Sequence, residues 1–288
     1  ISMSNVKILI QASSRSWAGG RDICMGLVNG EIAVVRTIRH ALAAFPDAQL
    51  CLVAPEFDRD GELNKVVEII ADKRLKAFYG FDESPLKRMI AASIELTDDD
   101  YIVRVDGIHF CFDFNLSQQM LTIAQQKNLD CIKLPADFPV HFSSEIFRVG
   151  ALRELANLLT TPELAKFHVH PKTYFELNRY DYKFEHLKVL PQYSDEYLNE
   201  CRQLAQPIYE IPRQEVNSHR IASGDRLGYH YQIALKYLKK NMRVLDIACA
   251  DGYGVRMMSS SVSLVHGADL DAESVNFARQ NSSQQNVE

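Results

Sequence analysis

No stretch of this 288-residue chain reaches the ~18 consecutive apolar residues of a membrane-spanning helix, and its opening residues carry no signal-peptide pattern. The expectation is a cytoplasmic protein with no membrane partner. A cationic excess is missing too: Lys plus Arg is 32 against Asp plus Glu at 37, a net charge of −5, which leaves no broad basic field for nucleic acid. Any phosphate binding has to be local. The six cysteines, at positions 24, 51, 111, 131, 201 and 249, have no metal-ligand spacing, and several lie in apolar runs where a reduced thiol packs as a small hydrophobe. Tryptophan occurs once, as Trp17, and no internal repeat is visible.

What is present is apolar material in short, ordered runs. Hydrophobic residues make up 47% of the chain, enough for ample core, and the length suits two domains, expected at 3–214 and 215–288. From residue 6 to about 150, apolar runs alternate with amphipathic segments, the pattern of an α/β layer fold around a mostly parallel sheet. Strands are predicted over 6–11, 49–54, 75–79, 101–105, 131–134 and 146–149. Helices are predicted over 31–45, through Leu63, Val66, Val67 and Ile70, and over 85–96, 116–127 and 151–159. Between 160 and 215 five prolines loosen the pattern, with one helix predicted over 194–205. The acidic run Asp98, Asp99 and Asp100 reads as a solvated turn, and His168 and His170, with no third ligand evident, read as loop packing.

The loop after the first strand, Gln11, Ala12, Ser13, Ser14, Arg15, then Trp17 and Arg21, combines small residues, hydroxyls and two cations. Backbone N–H groups and Arg forks of this kind suit a triphosphate, although small polar loops after first strands are common without one. Trp17 either stacks on a base or fills a cleft.

Four segments in order, Leu9-Ile10-Gln11-Ala12, residues 82–88, residues 101–107 and Glu145-Ile146-Phe147, resemble the cytidylyltransferase family, which includes spore-coat polysaccharide proteins and the CMP-Kdo and CMP-sialic acid synthetases. That resemblance spans about residues 6–155 and rests on order and spacing more than identity. It implies a Rossmann-like nucleotidyltransferase (GT-A-like) domain that joins a sugar to a nucleotide from CTP and releases pyrophosphate, with Mg²⁺ as cofactor. It casts Arg15, Arg21 and Asp106 as catalytic, Gln11, Ala12, Ser13, Ser14, Arg88 and Arg104 as nucleotide-binding, and Asp106 as the metal ligand, with Asp113 as an assistant. Three departures stand out: Ser13 replaces an Arg, Ile108 a metal-binding Asp, and Ser143 a second one. A hard cation beside a triphosphate needs carboxylate oxygens, so impaired or absent metal-dependent transfer is expected. For Arg88 and Arg104 the plainer alternative is a surface or interdomain ion pair.

A second motif runs from Arg243 to Gly254: an apolar strand, a tight turn of small residues, a helix start, then a second strand ending in Asp269. Such a turn brings backbone close to a nucleoside, and a carboxylate about 20 residues on suits a ribose diol. Asp246 and Asp251 would repel a pyrophosphate, which weighs against a dinucleotide and for a cationic sulfonium. This stretch resembles the first motif of class I S-adenosylmethionine-dependent methyltransferases, which implies a cofactor loop of Asp246, Ala248, Ala250, Gly252 and Gly254 with Asp269 on the ribose. The family's substrate elements lie beyond the second helix, so the expectation is a truncated Rossmann-like methyltransferase unit with uncovered sheet, and a homodimer as one way to cover it.

The chain therefore reads as an α/β protein of nucleotide-sugar or surface-polysaccharide biosynthesis, with CTP or a CMP-sugar as partner and S-adenosylmethionine in a full-length parent. The alternative is a non-catalytic nucleotide-binding or scaffold module.

Overall fold

Val6–Gln11 (β1) is an apolar run whose last four residues are buried, as a strand flanked on both edges and covered on both faces requires. The computed structural model describes residues 5–15, 21–209 and 226–288, so Trp17 lies outside the described residues. Leu27–Val28 (β2) and Glu31–Ile32 (β3) form a small hairpin, and Ala33–Ala44 (α1) follows it. The helix predicted over 31–45 thus begins two residues later, because Glu31 and Ile32 are taken by the hairpin.

Gln49–Ala54 (β4), Leu63–Ile70 (α2), Leu75–Tyr79 (β5), Pro85–Ala91 (α3) and Tyr101–Asp106 (β6) repeat the strand–helix alternation. After Ala91 the chain tightens into turns, with Ser93 N–H bonded to the Ile90 carbonyl at 3.1 Å and Leu96 N–H to that of Ser93 at 3.1 Å. That tightening ends the helix short of residue 96. Phe114–Lys127 (α4), Cys131–Lys133 (β7), Glu145–Arg148 (β8) and Val149–Leu158 (α5) follow. Beyond them lie Pro171–Leu177 (α6), Phe184–His186 (β9) and Asp195–Tyr209 (α7).

The seven-stranded sheet has the order β5-β4-β1-β6-β8-β7-β9. It is mostly parallel, as the alternation implies, but β8 runs antiparallel to both β6 and β7. Ile8, Ile10, Leu52, Val103 and Val105 face α1, α2 and α4 on one side. Leu9, Val53, Ile102 and Phe147 face α3, α5 and α6 on the other. Period-two alternation of apolar residues on a strand covered by helices on both faces produces this three-layer packing. In the turn at Asp98–Asp100 the first two residues are exposed, as the solvated reading expects, and only Asp100 departs from it. Asp100 is 4% exposed and accepts from Asn5 N–H at 2.6 Å and Thr97 N–H at 2.7 Å, so it pins the entry of β6.

The chain divides into two compact units, and residues 226–288 belong to the second. There Arg226–Leu235 (α8), Arg243–Ile247 (β10), Tyr253–Ser259 (α9), Leu264–Ala268 (β11) and Ala272–Asn281 (α10) alternate, with β10 and β11 parallel. Val265, the second residue of β11, is fully buried and bridges Val287 in parallel, so the last residues extend the pairing. Leu245 and Ile247 on β10 remain 59% and 74% exposed.

Candidate functional site

The sheet reverses its winding direction between β1 and β6, and a crevice opens beyond the C-terminal ends of strands at such a point. Gln11 and Asp106 end the two strands in register, and Gly107 N–H donates to the Gln11 carbonyl at 2.8 Å. Because side chains alternate, Gln11, Arg104, Asp106 and Glu145 share the face that carries Leu9, Ile102 and Phe147 below them. That face is apolar at its base and charged at its upper end. Arg104 Nη1 donates to Glu145 Oε2 at 2.6 Å, and Lys172 Nζ on α6 donates to Glu145 Oε1. Burial pushes the Glu145 carboxyl up, but Arg104 and Lys172 more than reverse this and bring it to about 2. Gln11 Nε2 and Arg104 Nε are both buried without a hydrogen-bond partner. Arg88, on α3, is 5% exposed and faces inward, so it belongs to the interior of this layer.

The loop after β1 has spent most of its binding capacity within the protein. Ser14 donates its N–H to Asp58 Oδ2 at 2.6 Å and its hydroxyl to Asp58 Oδ1 at 2.5 Å, and accepts from Glu62 N–H at 2.9 Å. Asp58 is completely buried. A Cβ on Gly61 would lie 2.2 Å from Asp58 Oδ1 and 2.3 Å from Ser14 Oγ, so only glycine fits beside this pair. Arg15 Nη1 pairs with Asp60 at 2.8 Å, and Arg21 Nη2 with Glu62 at 3.8 Å. The two cations expected to reach a phosphate therefore each face an acid from the loop after β4. Ser13 Oγ donates to the Arg15 carbonyl at 2.7 Å, and Ala12 N–H to the Val53 carbonyl at 3.1 Å, which fixes the loop's first turn.

Around Asp106 the structure separates residues that the sequence groups together. Asp113, expected as an assistant to Asp106, caps α4, accepting from Asn115 N–H at 2.9 Å and Leu116 N–H at 3.3 Å, and also from the Tyr193 hydroxyl. Asp113→Ala is expected to cost about 1–2 kcal/mol, read as a lower urea midpoint, because two helix amides lose their acceptor. Ile108 packs against the apolar cluster of α1 and α4, and the Ser143 carbonyl lies 2.8 Å from His109 Nδ1. Burial pushes the His109 imidazole pKa down, with Asp106 and Glu145 opposing. Among the described residues no group of three or more His, Cys, Asp or Glu side chains is placed to hold a metal ion.

His168 bonds Ser84 Oγ at 2.9 Å and the Leu159 carbonyl at 3.0 Å, which is loop packing. Two features are missed by sequence reasoning. One is Lys172, which the prolines around it disguise as loop; the other is an aromatic wall in which Phe142 stacks on Tyr193 with centroids 4.6 Å apart and Phe110 stacks on His141 at 5.1 Å. The clustering of Phe and His at 138–142 is the only sequence signal for that wall.

In the second unit Ala248, Ala250 and Gly252 have φ of 65°, 45° and 75°, so the turn after β10 is built from left-handed residues. Ala250 N–H donates to Asp269 Oδ2 at 2.8 Å and Asp271 N–H to Asp269 Oδ1 at 3.0 Å, leaving each carboxylate oxygen one further acceptor site. Asp246 accepts from the Tyr231 hydroxyl at 3.1 Å. A Cβ on Gly254 would meet the Tyr231 ring at 2.0 Å, so the phenol lies directly on the glycine. Burial pushes the Asp246 carboxyl up, and Tyr231 and His230 oppose it. Alanine pays a steric cost at positive φ that glycine does not, so Ala248→Gly and Ala250→Gly should each raise stability by about 0.5–1 kcal/mol, seen as a higher urea midpoint for this unit.

A parallel-dominated sheet with one inserted antiparallel strand and helices on both faces is a Rossmann-like α/β architecture, the fold it shares with solved nucleotidyltransferases. A solved cytidylyltransferase from Leptospira borgpetersenii serovar Hardjo-bovis superposes with a TM-score of 0.56 at 18% identity, covering 65% of this chain and 77% of its own. A CMP:2-keto-3-deoxy-manno-octonic acid synthetase complexed with CTP gives a TM-score of 0.47 at 12% identity over 70% of this chain and 99% of its own. The 4-diphosphocytidyl-2C-methyl-D-erythritol synthase of Anaerococcus prevotii gives 0.44 at 13% identity over 70% and 99%. No protein-family model and no curated protein matches the sequence. Among the described residues no helix is long and apolar enough to cross a membrane.

Proposed function

We propose that the first unit is a cytidylyltransferase-type module of nucleotide-sugar or surface-polysaccharide biosynthesis that takes CTP or a CMP-sugar in the crevice between β1 and β6. The observation that carries this reading is the strand order. It places Gln11 and Asp106 side by side at the point where an open α/β sheet binds nucleotides, with the Gln11 amide still lacking an acceptor. Fold likeness to a solved cytidylyltransferase supports a cytidine nucleotide as the ligand class in this reading. Metal-assisted transfer is weak in this reading: Asp106 stands without a carboxylate partner at 108 or 143, and Arg15 and Arg21 are held by acids. Calorimetry of the whole chain with CTP, CMP and CMP-sugars, with and without Mg²⁺, tests it. Heat with CTP that Mg²⁺ changes little is expected; no heat with any nucleotide would reject it.

The same observations support a second reading, a nucleotide-binding scaffold that retains the crevice and lacks the chemistry. Pyrophosphate release from CTP and an acceptor sugar separates the two, since only the enzyme produces it.

For the second unit we propose a methyltransferase-type cofactor site. The left-handed turn at 248, 250 and 252, with Asp269 holding a free acceptor on each oxygen, suits a nucleoside diol. S-adenosylhomocysteine titrated into the chain, compared with Asp269→Asn, tests this; equal binding by both proteins would sink it. A homodimer that covers the exposed Leu245 and Ile247 is part of this proposal, and a monomeric mass by light scattering at micromolar concentration would refute it.

A further inference from the structure

Cys111 lies in the loop that follows β6, and Cys201 lies on α7, ninety residues away in sequence. Folding brings them together: the Cys111 thiol donates to the Cys201 sulfur at 3.3 Å, closer than the usual contact between two sulfur atoms. Both side chains are buried, at 8% and 5% exposure, within a small cluster that also holds Phe110, Phe142 and Ala205. Burial and the neighbouring Cys201 push the Cys111 thiol pKa up, with Arg36 on α1 opposing, and the Arg36 Nε is itself buried without a partner. The surroundings are held independently of the sulfurs, since Tyr193 donates to Asp113 and stacks on Phe142. The two elements therefore stay adjacent whether or not the sulfurs are joined.

We propose that Cys111 and Cys201 form a reversible disulfide under hydroperoxide stress, which fastens α7 to the loop that leaves the crevice. Cys201 accepts the S–H bond and so acts as the nucleophile, with Cys111 as the resolving thiol. The Cys201 thiolate attacks one peroxide oxygen, the O–O bond breaks, and hydroxide leaves to give a sulfenic acid. The Cys111 thiolate then attacks the Cys201 sulfur, the S–OH bond breaks, and water leaves with the proton that Cys111 releases. Two thiols lose two electrons and two protons, and one peroxide becomes two waters. Closing the bond needs an approach of about 1.3 Å, within the reach of side-chain rotation. Burial pushes the Cys111 thiol up to about 12, so the resolving step waits on brief opening of the cluster and is slow at neutral pH.

The test uses the whole chain, folded, in dilute hydrogen peroxide, followed by alkylation, trypsin and mass spectrometry without reductant. The expected product joins the peptide 105–127 to the peptide 189–202, weighs two hydrogens less than their sum, and disappears with dithiothreitol. Cys51 and Cys131, buried in β4 and β7, serve as reference thiols and should stay alkylatable only after denaturation. The melting temperature of the oxidised chain should rise by about 5–10 °C, because a long loop is closed in the unfolded state. Cys201→Ser should show no rise, and Cys111→Ser serves equally if that variant folds poorly. Separate sulfinic acids at the two positions, a link that forms only in denaturant, or a lower melting temperature on oxidation would each overturn the proposal. The test needs no nucleotide, so it stands or falls apart from the proposed function.

Discussion

Glu145→Ala should destabilise the first unit by about 3–5 kcal/mol, the largest loss expected for any single substitution in the crevice. The carboxylate is 5% exposed, its partner Arg104 is 11% exposed, and Lys172 is 29% exposed, so removing the acid strands two cations where water reaches them poorly. Chemical denaturation of the two proteins at pH 7 reads the difference directly. The same residue sets a pH signature with a defined sign. Its folded carboxyl titrates at about 2, below the ordinary value of 4.5, so its contribution is fully present above 4.5 and is lost as pH falls from there toward 2. A gap of this size corresponds to about 3 kcal/mol. Glu145→Gln, which has no charge to lose, should therefore show a flatter stability profile than the parent between pH 4.5 and 2. Parallel profiles for the two proteins would show that Glu145 is not held in this way.

The parts of the fold that were legible are those where one local rule suffices. Val6–Gln11, Gln49–Ala54 and Leu75–Tyr79 are apolar runs bounded by polar turns, and their strand limits coincide with the reading of the sequence. Phe184–His186 has no such signature: it is three residues long and only partly buried, and it becomes a strand because β7 offers it an edge. The direction of β8 was equally hidden, since apolar alternation is the same for a parallel and an antiparallel neighbour.

The candidate site was legible as a list of positions but not as a set of partnerships. Gln11 and Asp106 could be placed at strand ends from spacing. That Asp58 holds Ser14, or that Asp60 faces Arg15, depends on the loop after β4 folding toward the loop after β1, a contact between segments more than forty residues apart. Arg104 has two readings, nucleotide ligand or surface or interdomain ion pair; the structure shows instead a buried pair with Glu145 that leaves its Nε unpartnered. Asp113 followed a different logic, because an acid just before a helical run is first a cap and only then a metal ligand.

If the crevice takes a triphosphate, the acids beside Arg15 and Arg21 set its affinity. Asp60 and Glu62 are 82% and 48% exposed at the side chain, so their pairs with the two arginines contribute little to folding and can be removed without loss of structure. Asp60→Asn together with Glu62→Gln deletes two negative charges beside the guanidinium groups of Arg15 and Arg21, while Arg15 keeps its bond to the Phe57 carbonyl and its pair with Asp58. An ATP-sized polyanion carries about four charges, and each charge pair at ~7 Å in water is worth about 0.6 kcal/mol before salt screening. The expected result is CTP binding tighter by roughly ten- to a hundredfold at low salt, with the gain shrinking as salt rises. Calorimetric titration of the parent and the double variant at two ionic strengths measures it. Because Asp58 and Ser14 are untouched, the loop should keep its first turn, and an unchanged melting temperature would confirm that only the electrostatics differ. Equal affinity in both proteins would place the phosphates away from this loop and remove Arg15 and Arg21 from the site.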